Sequence, residues 1–258
     1  MDASHRVRFP LFLSLLSFTI SLPGYAQTLD PADFANAVSL LLEQATTAVI
    51  KGVGFGGDYR TFQSVRGPSG IVGLDIGVSV MVSQVPPEFL SALQSAGYSK
   101  PKFAAIPAAH LRVSKSLGEY LSVDAGYAKY KELKVYGIGG QIFTKIDEGP
   151  DFALRLSYSN NSLGVVATDT WTPSVMVGKK LSFFEPYLGV GYQITRGIVE
   201  IPITLSGNTL NFKTRGSATS LIAYAGLSLN ILLVQIVFEG NYSAAGVPGL
   251  GVKLGLRF

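Results

Sequence analysis

The last ten residues of the chain, Gly249 to Phe258, alternate strictly between apolar side chains and glycine, lysine or arginine. The apolar members are Leu250, Val252, Leu254, Leu256 and Phe258. Successive side chains of a β-strand point to opposite faces, so the pattern predicts a strand with one apolar and one polar face. A strand half-buried in a soluble core alternates in the same way. Here, however, the strand ends the chain on an aromatic residue.

The opposite end of the chain has the organisation of an export signal. Arg6 and Arg8 form a basic region, Leu11 to Leu22 form an apolar region, and Gly24-Tyr25-Ala26 is a small-residue cleavage site before Gln27. The apolar region is of signal-peptide length and too short to span a membrane as a helix. We therefore expect residues 1–26 to be a cleaved signal peptide and the mature protein to lie outside the cytoplasm.

The composition is more apolar than that of a typical secreted domain, with 47% hydrophobic residues in 258. No apolar run after the signal has the length of a transmembrane helix. A protein that crosses the membrane without such helices must pair all its backbone groups in a closed β-barrel. The chain has no cysteine, which excludes disulfides, thiol nucleophiles and Cys-ligated zinc.

Two-residue alternation recurs along the mature chain and predicts an antiparallel transmembrane β-barrel of about ten strands. The expected strands cover residues 71–82, 103–115, 120–130, 135–145, 151–159, 171–180, 183–194, 220–230, 232–242 and 249–258. Ten is an even number, as in single-chain bacterial barrels, and each segment is close to the length that crosses a bilayer at a tilt. Residues Ile198–Lys213 would be either an outer hairpin or two further wall strands, which would raise the count to twelve.

The predicted connections differ in length according to the side of the barrel. If the first strand runs outward, four short connections are periplasmic, and the long ones, Ser83–Lys102 and Thr195–Thr219, lie on the outer surface. The short connections are Ser116–Glu119, Ile146–Pro150, Lys179–Ser182 and Asn230–Ile231. Six aromatic residues fall near strand ends on the apolar face, as expected at membrane interfaces. They are Tyr127, Tyr158, Phe184, Tyr192, Tyr242 and Phe258.

A short amphipathic helix is predicted over residues 27–50, ahead of a barrel over residues 51–258. Asp30 is the expected N-cap and Pro31 the first helical residue. The apolar stripe of this helix would pack on the barrel end, plug its mouth, lie on the inner leaflet or contact another subunit. The glycine-rich stretch Gly52–Gly57 lacks the context of a phosphate-binding loop. We expect it to be extended backbone that other segments approach closely.

The polar faces of the strands predict a lumen with charges of both signs. Its expected members are Asp75, His110, Arg112, Asp124, Gln141, Lys145, Arg155, Glu185, Gln193, Gln235, Glu239, Lys253 and Arg257. A barrel of about ten strands has little more interior space than one of about eight, which side chains largely fill. Opposite charges should therefore pair across a structural lumen. A narrow, selective pore is the alternative.

The residues with chemical potential do not indicate an enzyme. After the signal, His110 is the only histidine, and Ser114 lies on the same strand face two pleats away, beyond hydrogen-bond reach. Asp147, Glu148 and Asp151 cluster in a predicted turn that would either bind a divalent cation or be simply solvated. We expect no catalytic residue, no metal and no cofactor. The small net charge of +4 gives no basic stripe for nucleic acid.

Several spaced motifs resemble those of a family of bacterial outer-membrane barrels that includes PopA-like proteins. The motifs are Lys51–Gly56, Gly73–Gly77, Val85–Phe89, Leu154–Tyr158 and Glu185–Tyr192. Members of that family assemble as rings of barrels that enclose a patch of lipid. The resemblance spans most of the mature chain and carries no catalytic residues.

The resemblance implies a homo-oligomer that organises or encloses membrane lipid in the bacterial outer membrane. The implied subunit or lipid contacts are Phe34, Val38, Leu41, Phe89, Leu90 and Leu93. Small outward residues of one strand, Ala105, Pro107 and Ala109, would allow close approach of a neighbour. The terminal Phe258 is the expected assembly signal for the barrel-assembly machinery. The alternatives are a narrow channel or binding barrel for a small solute, and a surface protein that acts through its outer loops.

Overall fold

The computed structural model describes residues 46–68, 72–84, 105–130, 133–164, 166–205 and 208–258. Within this part, side chains are described except at 105–107, 130, 201–205 and 208–212. The signal peptide and the six implied contact residues Phe34, Val38, Leu41, Phe89, Leu90 and Leu93 lie outside the described residues.

Ten antiparallel strands form a closed barrel in which each strand pairs with its neighbours in sequence and β1 pairs with β10. The strands are β1 (Leu74–Gln84), β2 (Ala105–Ser116), β3 (Leu121–Tyr130), β4 (Leu133–Phe143), β5 (Asp151–Leu163), β6 (Val166–Gly178), β7 (Phe184–Leu205), β8 (Asn208–Ile231), β9 (Val234–Ser243) and β10 (Val247–Arg257). The predicted all-β transmembrane barrel is confirmed. Because the sheet closes, the wall of the barrel has no exposed edge to pair with other chains.

The two ends of the barrel carry different connections. Residues 117–120, 144–150, 179–183 and 232–233 connect strands at the end where β1 begins and β10 stops, which we call the turn end. The connection from β5 to β6 and residues 244–246 belong to the opposite end, which we call the loop end. All four connections predicted to be periplasmic lie at the turn end. Most of the predicted outer connection Ser83–Lys102 lies outside the described residues.

The region predicted as either a hairpin or two wall strands is an extension of β7 and β8. The pairing of β6 with β7 ends at Val166↔Val199, and that of β9 with β8 ends at Ser243↔Ile222. Beyond Val199 the two long strands pair only with each other, as far as Leu205↔Asn208. The chain therefore makes a two-stranded ribbon above the loop end, and the twelve-strand alternative is wrong.

The outward face of the barrel is apolar and the lumen face is mostly polar. Along β1, Ile76, Val78, Val80 and Val82 are exposed, whereas the alternate residues are buried. The six aromatics predicted at the interface all lie on the outward face, with Tyr158 and Phe184 only partly exposed. Exposed rings also lie near both ends, at Tyr120 and Phe183 near the turn end and at Trp171 on the loop-end side. Two aromatic girdles around an apolar band are typical of a transmembrane barrel.

Residues 46–68 occupy the inside of the barrel, and we call them the luminal segment. Residues 46–56 are helical, and residues 57–68 run on without regular structure. The expectation of extended backbone at Gly52–Gly57 is therefore wrong as far as Gly56, although the predicted close approach occurs. A Cβ at Gly54 would collide with the side chain of Thr195, and one at Gly57 would lie 3.2 Å from Asn161 Cγ. Thus residues 51–68 fill the barrel, and its wall begins at Leu74.

One residue predicted in the lumen lies elsewhere. β4 ends at Phe143, two residues before the predicted end, so Lys145 belongs to the turn-end connection and is exposed. Its Nζ lies 5.9 Å from the ring centroid of Tyr120. Side chains alternate between lumen and lipid only within a strand. Lys145 lies beyond the last residue pair of β4, so its position in the alternating pattern does not predict which way it points.

Candidate functional site in the filled lumen

The luminal segment follows the barrel from the loop end to the turn end. Its contacts with β7 show this direction, because β7 itself runs from the turn end at Phe184 to the loop end. Ile50 lies against Gly197, Gly54 against Thr195, Asp58 against Gln193, and the backbone N of Arg66 against Glu185. As the residue number rises along the luminal segment, it falls along β7.

Lumen-facing glycines make room for the aromatic rings of the luminal segment. The ring of Tyr59 lies directly over Gly137 and next to Gly126, and the ring of Phe62 lies over Gly251. A Cβ at any of these glycines would overlap the ring. Without these glycines the segment could not occupy the middle of the lumen.

The guanidinium of Arg112 stacks between the two aromatic rings of the luminal segment. Its Cζ lies 4.5 Å from the centroid of Tyr59 and 5.0 Å from that of Phe62. Its Nε donates to Ser79 Oγ, 2.5 Å away, on β1. Cation–π contacts of a desolvated guanidinium are stronger than exposed ones. Arg112 therefore ties the luminal segment to the wall.

Asp58 is the one carboxylate of the luminal segment, residues 46–68. Its Oδ2 accepts hydrogen bonds from Gln193 Nε2 at 2.8 Å and Thr172 Oγ1 at 3.2 Å. Its Oδ1 accepts from Ser159 Oγ at 3.1 Å. A buried carboxylate is stable only when it is hydrogen-bonded or paired. Three wall strands, β5, β6 and β7, supply the donors that Asp58 needs.

Arg60 supplies the positive charge that lies near the carboxylates of Asp58 and Glu239. Its Nε lies 3.5 Å from Glu239 Oε1, and its Nη1 lies 3.9 Å from Asp58 Oδ2. Its Cζ lies 4.8 Å from the centroid of the Tyr224 ring. The hydroxyl of Tyr187 donates to Glu239 Oε2 at 2.8 Å. The carboxylate of Glu239, on β9, therefore contacts both the luminal segment and the wall strand β7, two strands away.

The backbone of residues 63–65 is bound by a second set of wall groups. Arg155 Nη2 donates to Gln63 O at 3.0 Å, and Gln141 Nε2 donates to Ser64 O at 3.2 Å and to Val65 O at 3.0 Å. Arg155 Nε also donates to Gln141 Oε1 at 3.0 Å. Buried carbonyl groups of an irregular segment need such partners. Here side chains replace the sheet partners.

At the turn end the luminal segment is held by an ion pair. Arg66 Nε pairs with Asp151, and Arg66 Nη2 donates to Ile146 O at 3.0 Å. Asp151 is buried, whereas the neighbouring Asp147 and Glu148 are exposed. The carboxylate of Asp151 thus binds the luminal segment rather than forming a cluster with the other two.

A separate set of charges joins the strands β1, β9 and β10. Lys253 Nζ lies 2.7 Å from Asp75 Oδ1 and donates to Gln235 Oε1 at 3.1 Å. Arg257 Nε lies 3.4 Å from Asp75 Oδ2. These contacts cross the pairing of β1 with β10, so they stabilise the closure of the barrel.

His110 is a buried imidazole packed on the luminal segment. Its ring centroid lies 6.1 Å from that of Tyr59 in an edge-to-face arrangement. Among the described groups, neither ring nitrogen has a hydrogen-bond partner. Ser79 lies directly opposite His110 on β1, but its hydroxyl accepts the hydrogen bond of Arg112. Among the described residues around His110, a serine, a histidine and a carboxylate therefore do not form a hydrogen-bonded catalytic triad.

The nine charged or imidazole residues predicted at the core of the lumen are all buried. They fall into three groups by position: those around the luminal segment, Glu185 near the turn end, and the group across the β1–β10 pairing. These residues are Asp75, His110, Arg112, Asp124, Arg155, Glu185, Glu239, Lys253 and Arg257.

Sequence reasoning missed the residues of the luminal segment itself. Asp58, Tyr59, Arg60, Phe62 and Arg66 carry no two-residue alternation and were not assigned to the lumen. The sequence signal that could have indicated a filled lumen lies in the wall strands. Glycine recurs at lumen-facing positions near the middle of β3, β4 and β10, where a lumen filled only by wall side chains would need large residues.

Two negative findings apply to the described residues only. Across 46–258, apart from the gaps, no group of three or more His, Asp or Glu side chains is arranged to hold a metal ion. In the same portion, no helix is long and apolar enough to cross a membrane.

The outward face has a shallow apolar groove across β5 to β9, with a volume of about 740 Å³. Its floor contains the small outward residues Ala223, Ala225 and Gly240, and Leu188 and Tyr242 are among the larger residues that line it. Ala109, on β2, is exposed on another part of the outward face. The side chains of Ala105 and Pro107 are not among those that the structure describes.

No family model matches this chain, and no curated protein is significantly similar to it. Among solved structures, it is similar to the KdgM porin, determined in complex with disordered oligogalacturonate, with a TM-score of 0.39, 8% identity, and coverage of 71% of this chain and 99% of that one. The N-terminal β-barrel domain of Pseudomonas aeruginosa OprF gives a TM-score of 0.34, 14% identity and coverage of 71% and 97%. For Acinetobacter baumannii Omp33 the TM-score is 0.34 and the identity is 8%. The similarity covers 76% of this chain and 100% of that one. The closed antiparallel sheet, rather than these similarities, defines the fold.

Proposed function

We propose that this protein is a non-enzymatic, closed barrel of the bacterial outer membrane that forms homo-oligomers and organises membrane lipid through its outward face. The observation that supports this function best is the filled lumen. Residues 46–68 contact the wall from the loop end to the turn end, so a wide aqueous path does not run through the barrel.

The gap beside the luminal segment at mid-height of the barrel is small. A gap bounded by Tyr59, Arg60, Arg155 and Glu239 has a volume of about 10 Å³, and about 10–15 Å³ is the least that holds one water molecule. A larger cavity of about 440 Å³ lies at the turn end, next to Arg66 and Ser116. It is a vestibule below the luminal segment. The interior therefore favours a structural role over transport.

The outward groove is the surface we propose for contact with a neighbouring barrel. Small residues allow two membrane-embedded surfaces to approach closely, and dispersion contacts then stabilise the pair. The small residues Ala223, Ala225 and Gly240 lie side by side on adjacent strands, β8 and β9. A ring of identical barrels needs two different contact faces. Ala109, on β2, marks a candidate for the second face.

The test is the particle mass of the protein extracted in mild detergent, together with electron-microscopy class averages and lipid analysis of the same sample. We expect several barrels per particle with retained lipid. Ala225→Phe fills the groove and should lower the subunit number. Leu221→Phe changes an exposed residue of the same strand face outside the groove and should not. A lone barrel without bound lipid would overturn the proposal.

A narrow channel is the second candidate, and a specific observation favours it. Several contacts between the luminal segment and the wall are hydrogen bonds and ion pairs, through Asp58, Arg60 and Arg66. Polar contacts can be exchanged for contacts with water at a lower cost than apolar packing, because water satisfies the separated groups. A displaced luminal segment would open a mixed-charge pore.

A further inference from the structure

Two lysines lie directly opposite each other on the outward face of β3 and β4. Lys129 of β3 pairs with Lys134 of β4 in the antiparallel register, and both side chains are exposed. Directly opposed residues of neighbouring strands have Cβ atoms about 4.5–5.5 Å apart, so like charges at such a pair repel each other. An anion between the two ammonium groups would turn this repulsion into attraction.

The residues around this pair do not offset its charge. Ser162 of β5 lies opposite Lys134 on the other side and is uncharged. Among the residues that the structure describes, no ion pair includes either lysine. Across residues 129–134 the sequence has three lysines and one glutamate, so two positive charges remain in excess whichever lysine the glutamate pairs with. This part of the outward face therefore attracts anions.

The two lysines lie one outward position beyond an aromatic pair. Toward the loop end, Tyr127 is followed on the outward face of β3 by Lys129. On β4, Tyr136 is followed in the same direction by Lys134. The rings of Tyr127 and Tyr136 are in contact, with centroids 4.9 Å apart, and tyrosine rings on a lipid-facing surface lie at headgroup level. The lysines are therefore at the depth of lipid headgroups.

We infer that Lys129 and Lys134 bind the phosphate of an anionic membrane lipid, whose acyl chains lie along the apolar outward face below Tyr127 and Tyr136. Lysine binds phosphate as a point charge, and the opposed pair offers two such charges to one phosphate. A single lysine beside an anionic membrane surface favours binding about fivefold. The inference deepens the lipid part of the proposed function and rests on it, because the barrel has to span a bilayer, but it does not depend on the homo-oligomer.

The outward face of β6 provides a contrast within the same barrel. Trp171, the only tryptophan of the chain, is exposed and is followed toward the loop end by Asp169. Arg196 of β7 lies opposite Asp169, so opposite charges face each other there. We therefore expect the lipid beside Trp171 to show little preference for a negative headgroup.

Fluorescence quenching by brominated lipids measures which lipid lies beside a given tryptophan. The full-length barrel is reconstituted into phosphatidylcholine vesicles in which a fixed fraction of the lipid is either brominated phosphatidic acid or brominated phosphatidylcholine. Tyr136→Trp combined with Trp171→Phe places the single tryptophan next to Lys134, and the unaltered protein, with Trp171, is the matched control. Both leaflets have the same composition, so the orientation of the barrel does not affect the result. Heat-modifiable mobility verifies that each variant is folded.

We expect phosphatidic acid to be favoured over phosphatidylcholine about fivefold or more beside Tyr136→Trp, and not beside Trp171. In the Tyr136→Trp background, Lys129→Ala with Lys134→Ala should abolish this preference, whereas Lys129→Arg with Lys134→Arg should keep it. Equal quenching by the two lipids, or a preference that survives both alanine changes, would overturn the inference. Loss of the preference when inorganic phosphate is added would also overturn it, since the site would then bind soluble phosphate.

The quenching result and the particle-mass result are independent of each other. A lone barrel that prefers phosphatidic acid beside Tyr136→Trp would overturn the oligomer and support the lysine pair as a lipid site. A ring of barrels without that preference would support the oligomer and overturn the lysine pair.

Discussion

At the level of single residues, the fit between wall and luminal segment depends on where the wall has no side chain. Gly137 and Gly126 lie under the ring of Tyr59, and Gly251 lies under the ring of Phe62. The interior of a protein is close-packed, so one additional methyl group at such a position has no free space to occupy. The wall glycines and the aromatic rings therefore form one packing unit.

We predict that Gly137→Ala lowers the free energy of unfolding by about 1–3 kcal/mol, the usual cost of an overpacked core. Gly140→Ala is the matched control on the same strand, because a Cβ there would have only Ser122 O nearby, at 3.8 Å. The midpoint of urea unfolding, followed by heat-modifiable electrophoretic mobility, measures both. In a Tyr59→Ala background, Gly137→Ala should be nearly neutral. Equal costs with and without the Tyr59 ring would contradict the packing unit.

At the level of elements, the wall strands could be predicted from the sequence and the luminal segment could not. A strand with one face toward lipid and one toward the lumen must alternate, so β1 and β10 were visible as patterns. Asp58–Pro68 contacts wall on all sides and has no lipid face, hence no period. The helix through Gly52–Gly56 was also missed, because its support comes from tertiary packing against Gly197 and Thr195 rather than from local propensity.

The seam between β1 and β10 gives the prediction for the terminal residue. Phe258 N donates to Leu74 O, and Phe258 O accepts from Val72 N and Leu74 N at 3.1 Å, whereas the Phe258 ring is exposed on the outward face. We therefore expect Phe258→Ala to leave the stability of the refolded protein nearly unchanged. It should lower the amount assembled in the outer membrane several-fold, because the ring serves recognition and not packing.

Quantification of heat-modifiable protein in outer-membrane fractions, alongside urea unfolding of refolded protein, separates the two effects of Phe258→Ala. Leu256→Ala is the control, since Leu256 is an apolar residue exposed on the same face of β10. If both variants assemble as well as the parent protein, Phe258 is not an assembly signal. If Phe258→Ala loses stability in proportion to assembly, the ring acts through packing instead.

At the level of the whole molecule, wall and luminal segment depend on each other. The wall buries Arg155, Glu239 and Arg112, and the luminal segment provides partners for them in Gln63, Arg60 and the ring of Tyr59. An unpartnered buried charge is costly, so removing the segment would require water to enter the lumen. The barrel is thus either closed with its charges paired or opened with them hydrated.

We predict that the native protein gives no steady current in planar bilayers and that Asp58→Ala combined with Arg60→Ala produces current steps. The two changes remove the hydrogen bonds and the ion pair at mid-height, and each buried group left unpaired costs about 1–3 kcal/mol. Since 1.4 kcal/mol corresponds to a factor of ten, the displaced state should become about tenfold more populated or more. Leu254→Ala, exposed on the outward face, is the control and should stay silent.

The opposite result in the bilayer experiment would identify a channel. If the native protein conducts steadily and the current passes through the lumen, the transport alternative replaces the structural one. Arg155→Trp should then abolish the current, because Arg155 is buried in the lumen beside the luminal segment and bound to Gln141 and to Gln63 O. A bulky ring there would obstruct the path along which the segment has to move. If Arg155→Trp leaves the current unchanged, the current does not pass through the lumen, and the closed barrel stands.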